Sequence, residues 1–359
     1  MSPQWRHVEK SVEGASHKLC KKPNQDRIIF YSPSENDSDF PRIMAIADGH
    51  GSEKYSRSDK GAEFAVSTAI ELCKDLENHP WDTINDRKNI SLLCRKIVQK
   101  WREKVDADLQ ISPLSDDEKR LIYPKKDLTT HKSNDLDIDG SITAYGTTLL
   151  ITAIYSSGIL YIQIGDGDIL VFDKNGGLTK PIPEDDRLLG NETTSMCQSE
   201  AWLDFRSLSV TIDDNAQFPV IILMSSDGYK NSFSEERVFN NIGLELLHLM
   251  CKCPNGINAG IDYINDNLIN WLNTTSEKGS GDDISVGIIC NINQIEKYRD
   301  TVYSLKEQKK LEELNLQEKL SLDQEGTPLP ELSVNPDNME NDIAKKSSES
   351  SSDSSSDPL

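Results

Sequence analysis

The chain has no positive charge to spare. Its 359 residues carry 39 Lys and Arg against 60 Asp and Glu, a net charge of −21. That balance excludes a basic footprint for nonspecific binding to nucleic acid or to an anionic membrane. No apolar run reaches the roughly 18 residues of a membrane span. The opening Met1-Ser2-Pro3-Gln4-Trp5-Arg6 lacks the apolar core of a signal peptide. The seven cysteines are odd in number and scattered, which predicts free thiols in a reducing cytoplasm rather than a disulfide framework. Cys251 and Cys253, the closest pair, form no spaced metal motif with histidine. A Cys-x5-Arg loop, in which a thiolate would act as nucleophile beside an anion-binding Arg, is also missing.

What is there divides into a foldable part and a tail. Arg27–Tyr31 and Arg42–Ala47 read as strands. Residues 56 to 77 read as a helix, with Ala62, Ala65, Ala69, Leu72 and Leu76 on one face and Ser56 with Asp59 as a capping box. A second helix is expected over about 89 to 110, then a polar loop over 111 to 140. Strands follow at Thr147–Tyr155, Ile159–Ile164 and Ile169–Phe172, the last closed as a hairpin by Asp173–Gly177. Phe205–Ile212 and Phe218–Met224 read as a strand pair. Helices at 234 to 250 and 257 to 273 precede a last strand, Ile284–Asn291. Hairpin links without βαβ alternation favour an α+β fold of antiparallel sheets with segregated helices over a doubly wound sheet.

Residues 1 to 295 form the expected folded domain. Residues 296 to 320 read as a charged helical extension with a weak Leu305, Leu311, Leu314, Leu320 stripe for docking. Residues 321 to 359 have no aromatic side chain and ten serines, so they cannot bury enough apolar area to offset chain entropy; a disordered acidic tail is expected.

Three acidic turns carry the chemistry: Asp48-Gly49-His50-Gly51, Asp227-Gly228 and Asp282-Asp283. Each flanks a strongly apolar strand. An Asp at a strand end is held by a rigid element yet can face a cleft. Carboxylates that converge there repel one another, and the natural counter-charge is a hard divalent cation, Mg²⁺ or Mn²⁺. Taken singly, each Asp-Gly also fits a plain hairpin turn.

Asn24-Gln25-Asp26, Asp48-Gly49-His50-Gly51, Gly146-Thr147-Thr148, Gly165-Asp166-Gly167-Asp168, Ser226-Asp227-Gly228 and Gly281-Asp282-Asp283-Ile284-Ser285 stand in order along the chain. Together they resemble the motifs of the metal-dependent type 2C Ser/Thr protein phosphatases, the PPM family, over about residues 5 to 292. Leu188–Ser195 resembles a stretch of a bacterial branch of that family. The resemblance implies a four-layer α-β-β-α sandwich with two central antiparallel β-sheets. It implies two Mg²⁺ or Mn²⁺ ions that share a bridging water, the water attacking phosphorus directly. Asp48 matches the carboxylate bridging both ions, the Gly49 carbonyl a ligand of one, and Asp227 and Asp282 ligands of the other.

His50 matches the residue proposed as general acid; the other reading is a histidine that caps its own turn. Asp166 matches a residue near a third, weaker metal site, with a hairpin turn as the alternative. Asp283 stands where the family commonly has Asn and is expected behind the ligands. His17 and the remaining histidines have no acidic turn around them and read as ordinary. Two positions depart from the pattern. The family's Glu-Asp pair is Gln25-Asp26 here, so Gln25 brings an oxygen without a charge. Asp26, Asp48, Asp227 and Asp282 still balance two divalent ions. The phosphate-binding Arg position holds Lys21, a point charge in place of a bidentate fork; Lys21 also reads as a plain solvated residue.

The implied activity is hydrolysis of phosphoserine and phosphothreonine in a protein partnered with a Ser/Thr kinase, in a cytoplasmic monomer without nucleic-acid or membrane partners. Two alternatives remain from the residues: an inactive regulatory or binding module of the same fold, and a hydrolase of small phosphate esters.

Overall fold

A computed structural model describes residues 4–34, 39–123, 138–183, 185, 193–213, 217–297 and 299–321. It contains strands β1 (Trp5–Val12), β2 (Asp26–Tyr31), β3 (Arg42–Asp48), β4 (Leu149–Tyr155), β5 (Gly158–Ile164), β6 (Asp168–Phe172), β7 (Leu178–Thr179), β8 (Arg206–Thr211), β9 (Ile221–Ser225) and β10 (Ile284–Asn291). They form two five-stranded antiparallel sheets, ordered β1-β10-β9-β6-β7 and β2-β3-β4-β5-β8. The helices Ser58–Lys74 and Arg87–Ile111 lie on the second sheet side, and Glu236–Lys252 and Ile257–Lys278 on the first.

The alternation along β3 and β4 explains the layering. Ile43, Ala45, Ala47, Leu149, Ile151 and Ala153 face Ala62, Ala65, Ala69, Ile97 and Trp101 of the helices. Met44, Ile46, Leu150 and Ile154 face the other sheet, against Ile169, Ile222, Met224 and Ile289. Both strand faces are buried, so the strands are apolar over nearly their whole length, Thr152 being the polar residue inside β4, and a one-residue slip would exchange the two cores.

Several local expectations give way to tertiary structure. β8 and β9 do not pair: β8 lies beside β5, and β9 lies between β10 and β6, in the other sheet. β5 and β6 likewise belong to different sheets, and Asp173–Gly177 closes β6 onto β7. A sandwich places chain neighbours in opposite layers, which local pattern does not reveal. The helix Ser58–Lys74 has Arg57 at its N-cap without a side-chain cap, and Ser56 Oγ instead donates to Glu118 at 3.0 Å. The capping box belongs to Ser115 and Glu118, which open a helix, Asp116–Ile122, inside the expected loop.

Two compact units are resolved, Met1–Leu305 and Lys306–Leu359. In the second, the described residues 306–321 are helical, with Leu311 and Leu314 exposed. The tail from 322 and the Leu188–Glu192 stretch lie outside the described residues. Among the described residues no helix is long and apolar enough to cross a membrane, and the seven cysteines are free.

Candidate metal centre

Strand register brings the acidic turns to one end of the sandwich. β2 and β3 pair with Asp26 directly opposite Asp48. In the other sheet Ser225 at the end of β9 pairs with Asp168 and Val286, so the Asp227 turn and the Asp282-Asp283 turn emerge together. Gly228 is required there, because a Cβ on it would lie 2.2 Å from the Asp283 carbonyl oxygen.

The Gly146-Thr147-Thr148 motif clamps the Asp48 turn. The Asp48 carbonyl accepts from the Thr148 N–H at 2.8 Å and from Thr147 Oγ1 at 2.9 Å; the Asp48 N–H donates to Thr148 Oγ1 at 3.0 Å. Gly146 accepts the His50 N–H at 3.1 Å and leaves room for the His50 and Tyr55 rings, which a Cβ would meet within 2.8 Å.

A hydroxyl bridges the two sheets at this end. Ser226 Oγ donates to Asp26 Oδ2 at 2.6 Å and accepts from the Ser285 N–H of β10 at 2.9 Å. Asp283 is the second junction: it accepts the Gly14 and Gln25 N–H groups, both at 2.6 Å. His17 Nδ1 stands 2.9 Å from Asp283 and its Nε2 3.7 Å from Asp282. Sequence reading missed His17, since nothing local marks a contact across more than 260 residues of chain.

Electrostatics at this end are adverse. Burial, with Asp283, Asp227 and Asp282 nearby, raises Asp26 well above the usual carboxylate range, against a hydrogen bond from Ser226. Burial together with Asp26 and Asp227 does the same to Asp48. Asp227 is pushed up to about 6 by burial and by Asp166 and Asp282, despite a hydrogen bond with Asp48. Burial also raises Asp166, opposed by Thr193, Arg206 and Lys230. Asp26 Oδ1 and Gln25 Oε1 are buried with no hydrogen-bond partner. Orphaned oxygens beside mutually repelling carboxylates fit hard divalent cations. The Gln25 amide nitrogen is held by Ser58 Oγ and, at 3.2 Å, by the His50 carbonyl.

A cavity of about 1050 Å³ opens over the cluster. Asp48, His50, Asp166, Asp227 and Asp282 line it, along with the cations Lys54, Lys180, Arg206 and Lys230. Burial and Lys54 hold His50 down to about 4. Lys21 is not among the lining residues: it ends the helix Ala15–Cys20 in the left-handed region, φ 55°, and is exposed. Its neighbour Lys22 donates to the Gly51 carbonyl at 2.8 Å. Asp26 and Gln25 stand behind the cavity wall, both buried. The lining cations come from four separate segments, so no spacing announces them.

The sequence profile of a family described as protein phosphatase 2C matches residues 13–273. No curated protein matches the sequence. Among solved structures, the Mycobacterium tuberculosis serine/threonine phosphatase PstP/Ppp is 16% identical, covering 80% of this chain and 98% of that one, with a TM-score of 0.45. The catalytic domain of the serine/threonine protein phosphatase PstP in complex with two manganese ions is 17% identical over 80% and 99%, TM-score 0.46. PppA of Pseudomonas aeruginosa, a key regulatory component of T6SS, is 14% identical over 80% and 97%, TM-score 0.46.

Proposed function

The chain belongs to the protein phosphatase 2C family, and on that premise we propose that it is a metal-dependent phosphoprotein phosphatase acting on phosphoserine and phosphothreonine. The observation that carries the reading is the convergence of Asp26, Asp48, Asp227 and Asp282, with burial and mutual repulsion raising three of them. Asp48 with the Gly49 carbonyl, and Asp26, Asp227 and Asp282, would hold two Mg²⁺ or Mn²⁺ ions. Gln25 offers a neutral oxygen, and Asp166 a carboxylate for a third, weaker site. When bound, the ions would supply a water acidic enough to attack phosphorus in line and would neutralise the phosphoryl oxygens.

The chain's own groups do the rest. The Thr147 and Thr148 clamp fixes the Asp48 carboxylate, and Ser226 fixes Asp26 against the opposite sheet. His50 lines the cavity beside Asp48 and is the proton donor to the departing serine or threonine oxygen. Its low proton affinity in isolation is set by burial and Lys54; a phosphate dianion in the cavity supplies the opposing charge. A protein substrate, phosphorylated by a Ser/Thr kinase in the cytoplasm, completes the proposal.

A binding module of the same fold is the second reading, favoured by the Gln25 amide being engaged with Ser58 and the His50 carbonyl. One experiment separates the two: turnover of a phosphoserine peptide and of an aryl phosphate with Mn²⁺, and again with chelator. The phosphatase reading expects Mn²⁺-dependent turnover of the peptide that chelator abolishes. Mn²⁺ binding without turnover of either compound would leave the binding module; turnover of the aryl phosphate alone would point to a small-ester hydrolase.

A further inference from the structure

Two divalent ions would offset Asp26, Asp48, Asp227 and Asp282, but Asp166, Asp168 and Asp185 also line the cavity, so a phosphate dianion is drawn in by cationic wall groups. Three of the four lining cations are already committed. Lys180 and Lys230 stand 3.7 and 3.8 Å from Asp168, and Lys180 also pairs with Glu236. Arg206 donates to the Gly165 carbonyl at 2.7 Å and to the Pro183 carbonyl, and lies 3.8 Å from Asp185. Lys54 differs. Among the described residues it makes no salt bridge, and its ammonium lies 4.8 Å from the centroid of the Tyr55 ring. That ring in turn packs on His50 with centroids 4.6 Å apart. The ammonium is near enough for its charge to act on His50.

The segment bearing Lys54 is anchored on both sides. Tyr55 donates its N–H to the Ser52 carbonyl at 2.9 Å, and Arg57 to the Ala144 carbonyl at 2.8 Å. The Arg57 guanidinium is pinned by Glu118 at 2.8 Å. A lysine stem rooted in a fixed turn and resting on an aromatic face has less freedom to lose when its ammonium engages an anion. By contrast Lys21 is exposed and outside the cavity lining, and Lys22 is spent on Gly51.

We propose that Lys54 is the phosphate-binding cation of this site, gripping the substrate phosphoryl group from the cavity wall beside His50 and Tyr55. The proposal rests on the phosphatase reading, and its test includes an arm that does not depend on turnover. Inorganic phosphate serves as the probe, titrated by calorimetry into the full-length, Mn²⁺-loaded protein. Lys54→Gln is expected to weaken phosphate binding about tenfold, the effect of one charge-assisted contact. Lys54→Arg should restore most of it, since a cation is kept. Mn²⁺ affinity in Lys54→Gln should match that of the wild type, which shows the variant folded and loaded. If phosphopeptide turnover is present, KM should rise by a similar factor with a smaller change in kcat. An unchanged phosphate affinity in Lys54→Gln, or a larger loss in Lys21→Gln than in Lys54→Gln, overturns the assignment. Absence of turnover in the wild type, with phosphate binding still dependent on Lys54, would fail the phosphatase reading and leave the anion site standing.

Discussion

Two groups of charged side chains in this molecule are built on opposite principles. At the helical side of the second sheet, Arg57 donates to Glu118 at 2.8 Å and to the Tyr145 hydroxyl at 2.9 Å, and Lys60 stands 2.9 Å from Asp108. Against the effect of burial, the hydrogen bonds from Arg57 and Ser115 hold Glu118 down to about 2, and Tyr145 and Lys60 hold Asp108 low. At the acidic end, Asp26, Asp48 and Asp227 are all shifted the other way. The first cluster satisfies itself and fixes local structure. The second repels itself, the mark of a candidate site in place of a scaffold, and on the proposed reading it is completed by cations from outside.

The largest effect should come from neutralising the second cluster. Asp227→Asn and Asp282→Asn are each expected to lower Mn²⁺-dependent activity by orders of magnitude, with weaker Mn²⁺ binding by calorimetry and an unchanged circular dichroism spectrum. Full activity in either would place that carboxylate outside the metal centre. His50→Ala should slow phosphoserine peptide hydrolysis about 10²-fold more than aryl phosphate hydrolysis, the scale of one general acid. An aryl oxide leaves without a proton and a serine alkoxide does not, so equal losses would make His50 structural.

Without metal, the contrast becomes a pH effect. The Asp227 carboxyl rises from 3.8 to about 6 on folding, so the folded state binds the proton more tightly. Its contribution to stability is fully present below pH 4 and is lost as pH rises through 6, on the order of 3 kcal/mol. Chelated protein should therefore have a lower denaturation midpoint at pH 8 than Asp227→Asn under the same conditions. Mn²⁺ should remove the difference or reverse it. The self-satisfied cluster should respond less: Glu118→Gln is expected to cost about 1 kcal/mol in urea unfolding, with Mn²⁺ affinity unaltered. The smallest effect is expected for Gln25→Glu. One added charge beside a divalent ion should tighten Mn²⁺ binding several-fold, and no change would mean that Gln25 serves Ser58 and the His50 turn alone.

The acidic end was legible because each Asp adjoins a strand whose apolar run is unmistakable, as in Val220–Met224 before Asp227. Turn identity and strand identity reinforce each other within a few residues. What could not be read depends on the third dimension. β8 and β9 adjoin in sequence yet lie in different sheets. Asp283 meets Gly14 and His17 only after the first and last strands pair. Ser56 looked like a cap, but its hydroxyl was taken by Glu118 from another helix. Lys54 carried no signal, because a lysine gains meaning from the wall it stands on.

Ser226 Oγ, hydrogen-bonded to Asp26 of one sheet and to the Ser285 N–H of the other, makes the site a gauge of alignment between the halves of the sandwich. Sliding the sheets by the length of one hydrogen bond would pull Asp26 out of line with Asp227. With ions held there as proposed, occupancy and sheet registry become one variable, and filling the site should slow amide hydrogen exchange from Ser285, three residues beyond Asp282, along β10 into the apolar interior.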